Sequence, residues 1–304
     1  MFKKLFWRIY SKILRISIRY FPNPRPSSYP YLTGDGLRSI ADHIYDELQK
    51  CNPKDIGESQ VVFLKTDLVE EWFTKVHQDI SVNYKLITHN SDNTVGEKET
   101  RYIDQKIIRW FAQNNIYKHE KITPIPIGIE NKKWFMSGWI LWKKAAKLIA
   151  KNSGKAPVNG VLLRKPRILF GFNPSTNPEE RGAALKALNA CPSADAVPQR
   201  LIPADYFELL DTYDFVASPE GNGPDCMRTW EALILNIIPI VKNTSDNQII
   251  SQNDFPIWVI KDWNDIVSVS EKQLEEIYNK YDLSSKSGIT RLDYWEKIIR
   301  TSIR

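Results

Sequence analysis

The stretch that decides the fold runs from Asp214 to Asn243 and reads DFVASPEGNGPDCMRTWEALILNIIPIVKN. The apolar run DFVAS at its start predicts a strand, and Ile238–Val241 predicts a second strand. Between the two strands, the sequence predicts a Gly-containing loop followed by a helix over 225–236. A strand, a helix and a second strand in this order are typical of a parallel α/β sheet.

The loop and the first helical turn of this stretch carry groups that suit an anionic ligand. We expect the loop to take positive φ angles and to let a ligand approach the backbone at Gly221, Asn222 and Gly223. The helix N-terminus presents unpaired N–H groups, and Arg228 adds a guanidinium that suits phosphate. Glu231 follows three residues later on the same face and suits ribose hydroxyls. The pattern predicts a nucleoside diphosphate site, and the alternative is a capped tight turn with an exposed salt bridge.

The same stretch resembles the nucleotide-sugar-binding region of exostosin-like glycosyltransferases, especially their short bacterial and viral relatives. The family pattern is approximately S-P-x-G-N-G-x-D-x-x-R-T-W-E-A-L followed by I-P-I-V. Here the pattern runs from Ser218 to Leu233 and continues at Ile238. Upstream, the segment NPSTNPEER, which ends at Arg181, is similar to the family's segment after the first strand of its C-terminal domain.

The resemblance implies a GT-B fold, in which two Rossmann-like domains face each other across a cleft. It also implies an inverting transfer: an acceptor hydroxyl attacks the anomeric carbon of a nucleotide sugar, by family habit a UDP-sugar, and the nucleoside diphosphate leaves. Helix N–H groups and cations stabilise that leaving group, so we expect no cofactor and no metal requirement. The residues expected to bind the donor are Arg181, Ser218, Gly221, Asn222, Gly223, Asp225, Arg228 and Glu231.

An inverting displacement also needs a general base near the acceptor hydroxyl, and the sequence leaves several candidates open. Asp35 lies in a Gly-flanked loop that opens a predicted helix, where the alternative role is a helix cap. His89 and Asp92 follow a predicted strand, where the alternative is ordinary loop polarity. Glu220 in the donor loop is a fourth candidate. Three basic residues near the domain boundary either contact the diphosphate or form a solvated basic turn: Arg164, Lys165 and Arg167.

Two sets of alternating strands and helices predict two Rossmann-like domains. We assign 34–155 to an acceptor-side domain and 156–290 to a nucleotide-sugar-binding domain, with the boundary near 153–165. A C-terminal helix is expected over 291–304. The predicted helices of the first set are 36–50, 67–78, 100–114 and 134–152.

Residues 1–21 predict an amphipathic helix with one cationic stripe and one broad apolar face. A cation at every third or fourth position is incompatible with a membrane span or a signal peptide. Such a helix is expected to lie on an anionic membrane surface, here the cytoplasmic face of the inner (plasma) membrane. The alternative is a helix packed on the body of the protein. Residues 22–33 predict a stiff Pro-rich linker.

The distribution of charge argues against nucleic acid as a partner. The chain has a formal net charge of +6, but seven basic residues and no acidic residue fall within 1–25. The rest of the chain is therefore close to neutral, whereas a nucleic-acid-binding protein is expected to spread Lys and Arg over a groove. The three cysteines give neither a disulfide framework nor a zinc spacing, which favours a reducing compartment.

A membrane-bound transferase suits a lipid-linked glycan acceptor, as in the synthesis of cell-surface polysaccharide or lipopolysaccharide. Two other functions stay open. One is another nucleotide-sugar or phosphosugar enzyme, although the sequence lacks the Gly-x-Gly-x-x-Gly fingerprint that a nicotinamide-dependent enzyme would place after its first strand. The other is a non-catalytic protein of the membrane surface built on a transferase fold.

Overall fold

The computed structural model is an α/β fold with two parallel five-stranded sheets and helices packed against them. It describes residues 25–132, 140–141, 143–145, 147, 164–198, 201–244, 247–251, 255–281, 283 and 287–302. The predicted helix over 1–21 lies outside these residues, as does most of the predicted boundary region. The α/β class predicted from the sequence is confirmed.

The first sheet has the sequential strand order β1-β2-β3-β4-β5. Its strands are β1 (His43–Tyr45), β2 (Val61–Lys65), β3 (Tyr84–His89), β4 (Ile107–Ala112) and β5 (Ile122–Pro124). The α-helices described in this half are α1 (Gly34–Ile40), α2 (Val69–Glu71) and α3 (Glu97–Thr100). Around α2, the backbone forms 3-10 turns at Thr66–Leu68 and His77–Asp79 and a π-helix at Trp72–Val76, and a further 3-10 turn lies at Pro53–Asp55.

The second sheet has the order β10-β9-β8-β6-β7. Its strands are β6 (Lys165–Phe170), β7 (Ala194–Ala196), β8 (Tyr213–Ala217), β9 (Ile238–Lys242) and β10 (Trp258–Ile260). The α-helices described here are α4 (Pro178–Ala190), α5 (Pro203–Leu210), α6 (Met227–Ile234), α7 (Gln248–Ser251) and α8 (Glu271–Tyr278), with 3-10 turns at Pro174–Thr176 and Trp263–Ile266. A 3-10 turn at Ser287–Thr290 leads to the last helix, α9 (Leu292–Thr301).

The strand order of the second sheet reverses once. The chain passes from β6 to β7 at the edge and then returns to β8, on the other side of β6. In open α/β sheets, such a reversal leaves a crevice between the carboxyl ends of two adjacent strands, and ligands bind there. In this protein, the crevice lies between the end of β6 at Phe170 and the end of β8 at Ala217.

Alternate residues of the strands face different hydrophobic clusters. In β2, Val62 and Leu64 pack into a cluster of the first sheet, whereas Val61 and Phe63 pack into a larger cluster that contains residues of both sheets. Leu169 of β6 joins that same larger cluster from the second sheet. Burial on both faces is expected for parallel strands, and the common cluster joins the two halves through apolar contacts.

Residues 25–33 are packed into the fold, which corrects the linker predicted over 22–33. The Leu32 N–H donates to the Thr290 carbonyl at 2.8 Å, and the Ile129 N–H donates to the Leu32 carbonyl at 3.0 Å. Tyr31 forms an isolated antiparallel bridge with Arg291. The prolines stiffen this segment, but Tyr31 and Leu32 are buried in the fold, whereas Tyr29 is exposed.

The C-terminal helix α9 returns to the first sheet. Lys85 on β3 is buried, and its Nζ donates to the carbonyls of Ile299 and Arg300 at 3.0 and 2.7 Å. The Arg300 guanidinium also pairs with Asp42, at 2.8 Å to Oδ2. The last helix is therefore part of the first half of the molecule, although it follows the second sheet in the chain.

Two helices predicted in the first half are wrong in part. The segment predicted as a helix over 100–114 contains the strand β4, whose Trp110 and Phe111 are fully buried between β3 and β5. A continuous apolar run buried on both faces has no alternation that would identify it as a strand. The helix predicted over 36–50 ends at Ile40, because the next residues form β1 at the edge of the sheet.

The described residues of the segment predicted as a helix over 134–152, namely 140–141, 143–145 and 147, are helical. Within the part of the chain that the structure describes, no helix is both long enough and apolar enough to cross a membrane.

Candidate functional site

The crevice at the reversal of the second sheet is lined by the loop and helix that the sequence analysis identified. Ser218–Asp225 leaves the carboxyl end of β8, and α6 begins at Met227. On the other side, Gly171 and Phe172 follow β6 directly. The predicted donor segment therefore lies at the point of the sheet where ligands bind in this class of fold.

Arg228 reaches across this crevice from the first turn of α6. Its Nη2 donates to the Gly171 carbonyl at 3.1 Å, and its Nη1 lies 4.0 Å from the Cys226 Sγ. The guanidinium carbon lies 5.9 Å from the centroid of the Phe172 ring. These hydrogen-bond partners are neutral groups, and the carboxyl group that acts on the Arg228 charge is that of Glu231, on the same helix.

Arg181 approaches the same crevice from α4. It is buried, and it donates to the Glu220 carbonyl from Nε at 2.8 Å and to the Asn173 carbonyl from Nη1 at 3.0 Å. Its guanidinium carbon also lies 5.9 Å from the Phe172 centroid. Burial lowers the pKa of Arg181, and the neighbouring Arg228 lowers it further, but an arginine keeps its proton in either case. The guanidiniums of two arginines therefore lie near the same aromatic ring.

Glu231 lies one turn beyond Arg228 on α6. Burial raises the pKa of Glu231 to about 7, Arg228 opposes that rise, and Glu130 of the first half adds to it. The carboxyl group therefore changes its charge near neutral pH, at the point where the two halves meet. In its ionised form it accepts hydrogen bonds from hydroxyl groups, which the sequence analysis expected of a ribose contact.

The loop glycines are required by close contacts, and the positive φ angles predicted for the loop are wrong. Gly128 is the glycine with a positive φ among the described residues, at 69°. A Cβ on Gly221 would lie 2.8 Å from the Arg181 Nη2. A Cβ on Gly223 would lie 2.5 Å from the Asn114 Nδ2, which belongs to the first half. The loop is therefore packed tightly on both sides.

Asp225 and Ser218, which the sequence analysis placed in the donor site, are engaged within the protein. The buried Asp225 accepts hydrogen bonds from the Ile127 and Cys226 N–H groups at 2.7 and 2.8 Å and from the Trp230 indole at 2.9 Å. Burial raises the pKa of Asp225 to about 6, and these hydrogen bonds oppose the rise. The buried Ser218 hydroxyl lies 2.9 Å from that of Thr229. Both residues hold the loop in place.

A cavity of about 450 Å³ opens at the carboxyl edge of the first sheet, next to the start of α6. Its wall contains polar side chains and charged side chains of both signs. Its lining residues are Arg25, Gly34, Glu47, Lys65, His89, Asn90, Ser91, Asp92, Gln113, Ile127, Ile129, Asn131 and Met227. A volume in this range suits a small ligand or one or two sugar units.

Asp35 lies behind the wall of this cavity and is fully buried. Its Oδ1 accepts hydrogen bonds from the Arg25 Nη1 at 2.9 Å and from the Asn90 Nδ2 at 3.1 Å. The cap of α1 is Thr33, whose Oγ1 accepts from the Gly36 N–H. The alternative role of Asp35 as the helix cap is therefore wrong, and its place behind the wall makes it a poor general base.

His89 lines the cavity but has both ring nitrogens engaged. The Asn90 N–H donates to Nδ1 at 2.7 Å, so the proton is on Nε2, which donates to the Pro126 carbonyl at 3.1 Å. Burial lowers the pKa of His89 to about 4. The imidazole is therefore neutral and held by the backbone, which does not suit a proton acceptor.

Asp92 is the candidate base that is exposed at the gap between the two halves. It lines the cavity, and its Oδ2 accepts a hydrogen bond at 2.9 Å from the Nδ2 of Asn222, which belongs to the donor loop. Glu220, the fourth candidate, accepts a hydrogen bond from Thr244 at 2.5 Å and is held on the second half. Asp92 therefore connects the cavity to the crevice.

The basic residues at the start of β6 lie at the amino end of the strand, away from the crevice at its carboxyl end. Arg164 donates to Asp211 and to the carbonyls of Leu235 and Asn236. Arg167 pairs with Asp195 at 2.7 Å. The suggestion that this cluster contacts the diphosphate is wrong, because the strand separates it from the crevice.

Asn90 and Gln113 line the cavity with their amide side chains and were not predicted as site residues. Gln113 and Asn114 directly follow β4, and Asn90 follows His89 at the end of β3. The signal was present as a run of polar residues after an apolar run, but the apolar run was assigned to a helix. Once 107–112 is a strand, its polar continuation falls at the carboxyl edge of a parallel sheet.

Among the described residues, no group of three or more His, Cys, Asp and Glu side chains is arranged to hold a metal ion. The expectation that the reaction needs no metal stays a prediction.

No protein-family model matches this sequence, and no curated protein matches it. Among solved structures, the chain is similar to the N-terminal domain of a trehalose-6-phosphate phosphatase from Candida albicans, with 11% identity and a TM-score of 0.41. That similarity covers 81% of this chain and 70% of the other. A likeness at this level is too weak to assign either a fold family or a function, so the α/β description rests on the two sheets themselves.

Proposed function

We propose that this protein is an inverting glycosyltransferase of GT-B type that uses a nucleoside-diphosphate sugar, with UDP-sugars favoured. The observation that carries the proposal is the convergence of Arg181 and Arg228 at the crevice where the second sheet reverses. Two guanidiniums held by neutral partners beside a helix N-terminus suit a diphosphate, and Glu231 suits the ribose. The cavity on the first sheet then holds the acceptor.

In this proposal, the chemistry occurs where the crevice and the cavity meet. Asp92 accepts the proton of the acceptor hydroxyl, which attacks the anomeric carbon on the face opposite the leaving group. Arg181, Arg228 and the N–H groups at the start of α6 stabilise the departing diphosphate. No step in this scheme calls for a metal ion or another cofactor. His89 and Asp35 support the cavity wall and take no part in proton transfer.

The test is a binding panel of UDP, GDP, CMP and their sugars, followed by product analysis. We expect a nucleoside diphosphate to raise the melting temperature by mass action. We also expect transfer from the matching sugar donor with inversion at the anomeric carbon. Asp92→Asn should retain donor binding and lose most of the transfer rate. Absence of any nucleotide-dependent stabilisation in the whole panel contradicts the proposal.

We further propose that the enzyme is peripheral to the cytoplasmic face of the inner (plasma) membrane through residues 1–21 and acts on a lipid-linked glycan. The support is the concentration of basic residues at the start of a chain that is otherwise close to neutral. Deletion of 1–21 should release the protein from anionic liposomes in a sedimentation assay and leave nucleotide binding unchanged. Equal sedimentation of the truncated and full chains would refute the membrane role.

A further inference from the structure

We infer that the cavity at the edge of the first sheet recognises a sugar unit with free hydroxyl groups and no phosphate or carboxylate. This inference rests on the proposed function, since it names the chemical class of the acceptor. It follows from two independent features of the wall: acceptor atoms that have no partner, and cations that are already paired.

The first feature is a set of buried oxygen atoms around the cavity. Asp35 Oδ2, Gln113 Oε1 and Asn114 Oδ1 have no hydrogen-bond partner among the described residues, although all three side chains are buried. Gln113 lines the cavity directly, and Asp35 is bonded to two residues that line it. Leaving a buried acceptor unpaired is costly, so the Gln113 Oε1, whose residue lines the cavity, favours a ligand that brings a hydrogen-bond donor.

The orientation of both amides is fixed by their neighbours. The Gln113 Nε2 donates to the Ser91 carbonyl at 2.9 Å. The Asn114 Nδ2 lies 3.4 Å from the same carbonyl and 3.5 Å from that of Asp92. Rotating either amide by 180° would place its oxygen against a carbonyl oxygen, so the oxygens are the atoms left over. The remaining unpaired atom of this turn, the Asn115 Nδ2, is a donor, and neither Asn114 nor Asn115 lines the cavity.

The second feature is that the cations of the wall are already neutralised. Arg25 pairs with Asp35 at 2.9 Å and also with Glu47. Lys65 pairs with Asp67 at 2.8 Å and lies 3.9 Å from Glu47. Glu47 and Asp92 line the cavity, and Asp35 and Asp67 lie outside its lining; together these four carboxylates outnumber the two cations. A phosphate or carboxylate placed here would lose its hydration and meet net negative charge, whereas hydroxyl groups would meet acceptors.

The chain offers a direct reporter of ligand binding in this cavity. It contains three methionines, and Met227 lines the cavity. Methyl-¹³C labelling of methionine gives three signals. The signal that is absent in Met227→Leu is that of the Met227 methyl group. The probes are the methyl glycosides of glucose, galactose and mannose, their carboxylate analogues (the methyl uronides) and glucose 6-phosphate.

We expect at least one neutral glycoside to shift the Met227 signal and to bind about tenfold more tightly than its anionic counterpart. Gln113→Leu should weaken that binding about tenfold, the size expected for one hydrogen bond to a buried group. Lys65→Met is the matched control, because it removes a wall cation without removing an acceptor atom. It should leave neutral binding within about twofold, whereas an anion held by Lys65 would be lost.

The inference is overturned if the uronides or the sugar phosphate bind as tightly as the neutral glycosides. It is also overturned if folded Gln113→Leu binds the neutral glycoside as tightly as the unmodified protein, with the melting temperature reporting the fold. UDP binding, measured on the same samples, separates the two proposals. Binding of UDP without binding of neutral sugars contradicts the acceptor class alone, and the reverse result contradicts the transferase proposal alone.

Discussion

The carboxyl edges of the two sheets both carry arginine, yet they differ in what holds it. In the second sheet, Arg181 and Arg228 donate to neutral carbonyl oxygens, and the carboxyl group that interacts with Arg228 is that of Glu231. In the first sheet, Arg25 is held by the carboxylates of Asp35 and Glu47, which cancel it. In the two proposals above, the same residue type therefore serves an anion site in one half and a wall for uncharged ligands in the other. The presence of a buried cation therefore matters less for ligand binding than the groups with which that cation is paired.

The two sheets also differ in their strand order. The second sheet reverses its strand order between β6 and β8, so the crevice comes from the arrangement of strands. The first sheet has a sequential order, and its cavity depends on the side chains that follow β2, β3 and β4. We therefore expect the donor site to respond most to loss of charge and the cavity to respond most to changes of shape and hydrogen bonding.

The largest effect on the second half is expected from Arg228→Ala. Loss of a charge-assisted contact should weaken binding of a nucleoside diphosphate by about 1.5–3 kcal/mol, or roughly ten- to 150-fold. Isothermal titration calorimetry with UDP measures the change. Binding of a neutral glycoside to the cavity should not change, and Arg228→Lys should recover part of the affinity. Unchanged UDP affinity in the alanine variant would contradict the proposal that the arginine at the edge of the second sheet binds an anion, unlike the arginine at the edge of the first sheet.

A pair of glycine substitutions tests how tightly the first edge is packed. A Cβ on Gly34 would lie 1.9 Å from the Asn90 Oδ1 and 2.4 Å from the His89 Nδ1. Gly34→Ala should therefore destabilise the protein by about 1–3 kcal/mol and distort the cavity wall. Denaturant unfolding measures the change in the free energy of unfolding.

Gly182 is the matched control for Gly34. It lies within α4, and a Cβ there would have no atom within 4 Å. Gly182→Ala should stabilise the protein by about 0.5–1 kcal/mol, because alanine favours the helix and meets no obstacle. If both variants change stability in the same direction, the close packing around Gly34 is not what requires a glycine.

The effect of pH on nucleotide binding should be smaller than the effects of these substitutions, and it should arise from Glu231 in the second half. Burial raises the pKa of Glu231 to about 7, so its carboxylate forms as the pH rises from 6 to 8. If the carboxylate accepts from the ribose, UDP affinity should rise over this range, by up to about tenfold. Because the folded state holds this proton more tightly, the fold also loses stability as the pH rises from about 4.5, the ordinary carboxyl value, to about 7. Glu231→Gln should flatten both profiles, and an unchanged profile in this variant would assign the effect to another group.

The smallest effect is expected from chelation. Since the proposed mechanism assigns stabilisation of the leaving group to the two arginines and the start of α6, transfer should continue at its full rate in excess EDTA. Initial rates with and without chelator measure this. Activity that falls with EDTA and returns with manganese or magnesium would contradict the prediction and would place a cation, in addition to the arginines, at the second edge.

The sequence predicted the second half better than the first. Strand, loop, helix and strand over 214–243 are local features, and β8, α6 and β9 appear where the pattern placed them. In the first half, Trp110 and Phe111 lie in an apolar run that periodicity cannot distinguish from a buried helix. The cavity depends on pairs such as Arg25 with Asp35 that only the folded chain brings together. The positive φ angles predicted for the loop failed because contacts with neighbouring side chains also require glycine.

The contact between β3 and the last helix has a consequence for how the protein is made. The Lys85 Nζ donates to the carbonyls of Ile299 and Arg300, more than 200 residues later in the chain. A ribosome releases the first sheet long before it releases these partners. Until residue 300 emerges, the Lys85 ammonium lacks these two acceptors. During that interval the first sheet is less stable than in the finished protein, and it is then that a chaperone would be most useful to this chain.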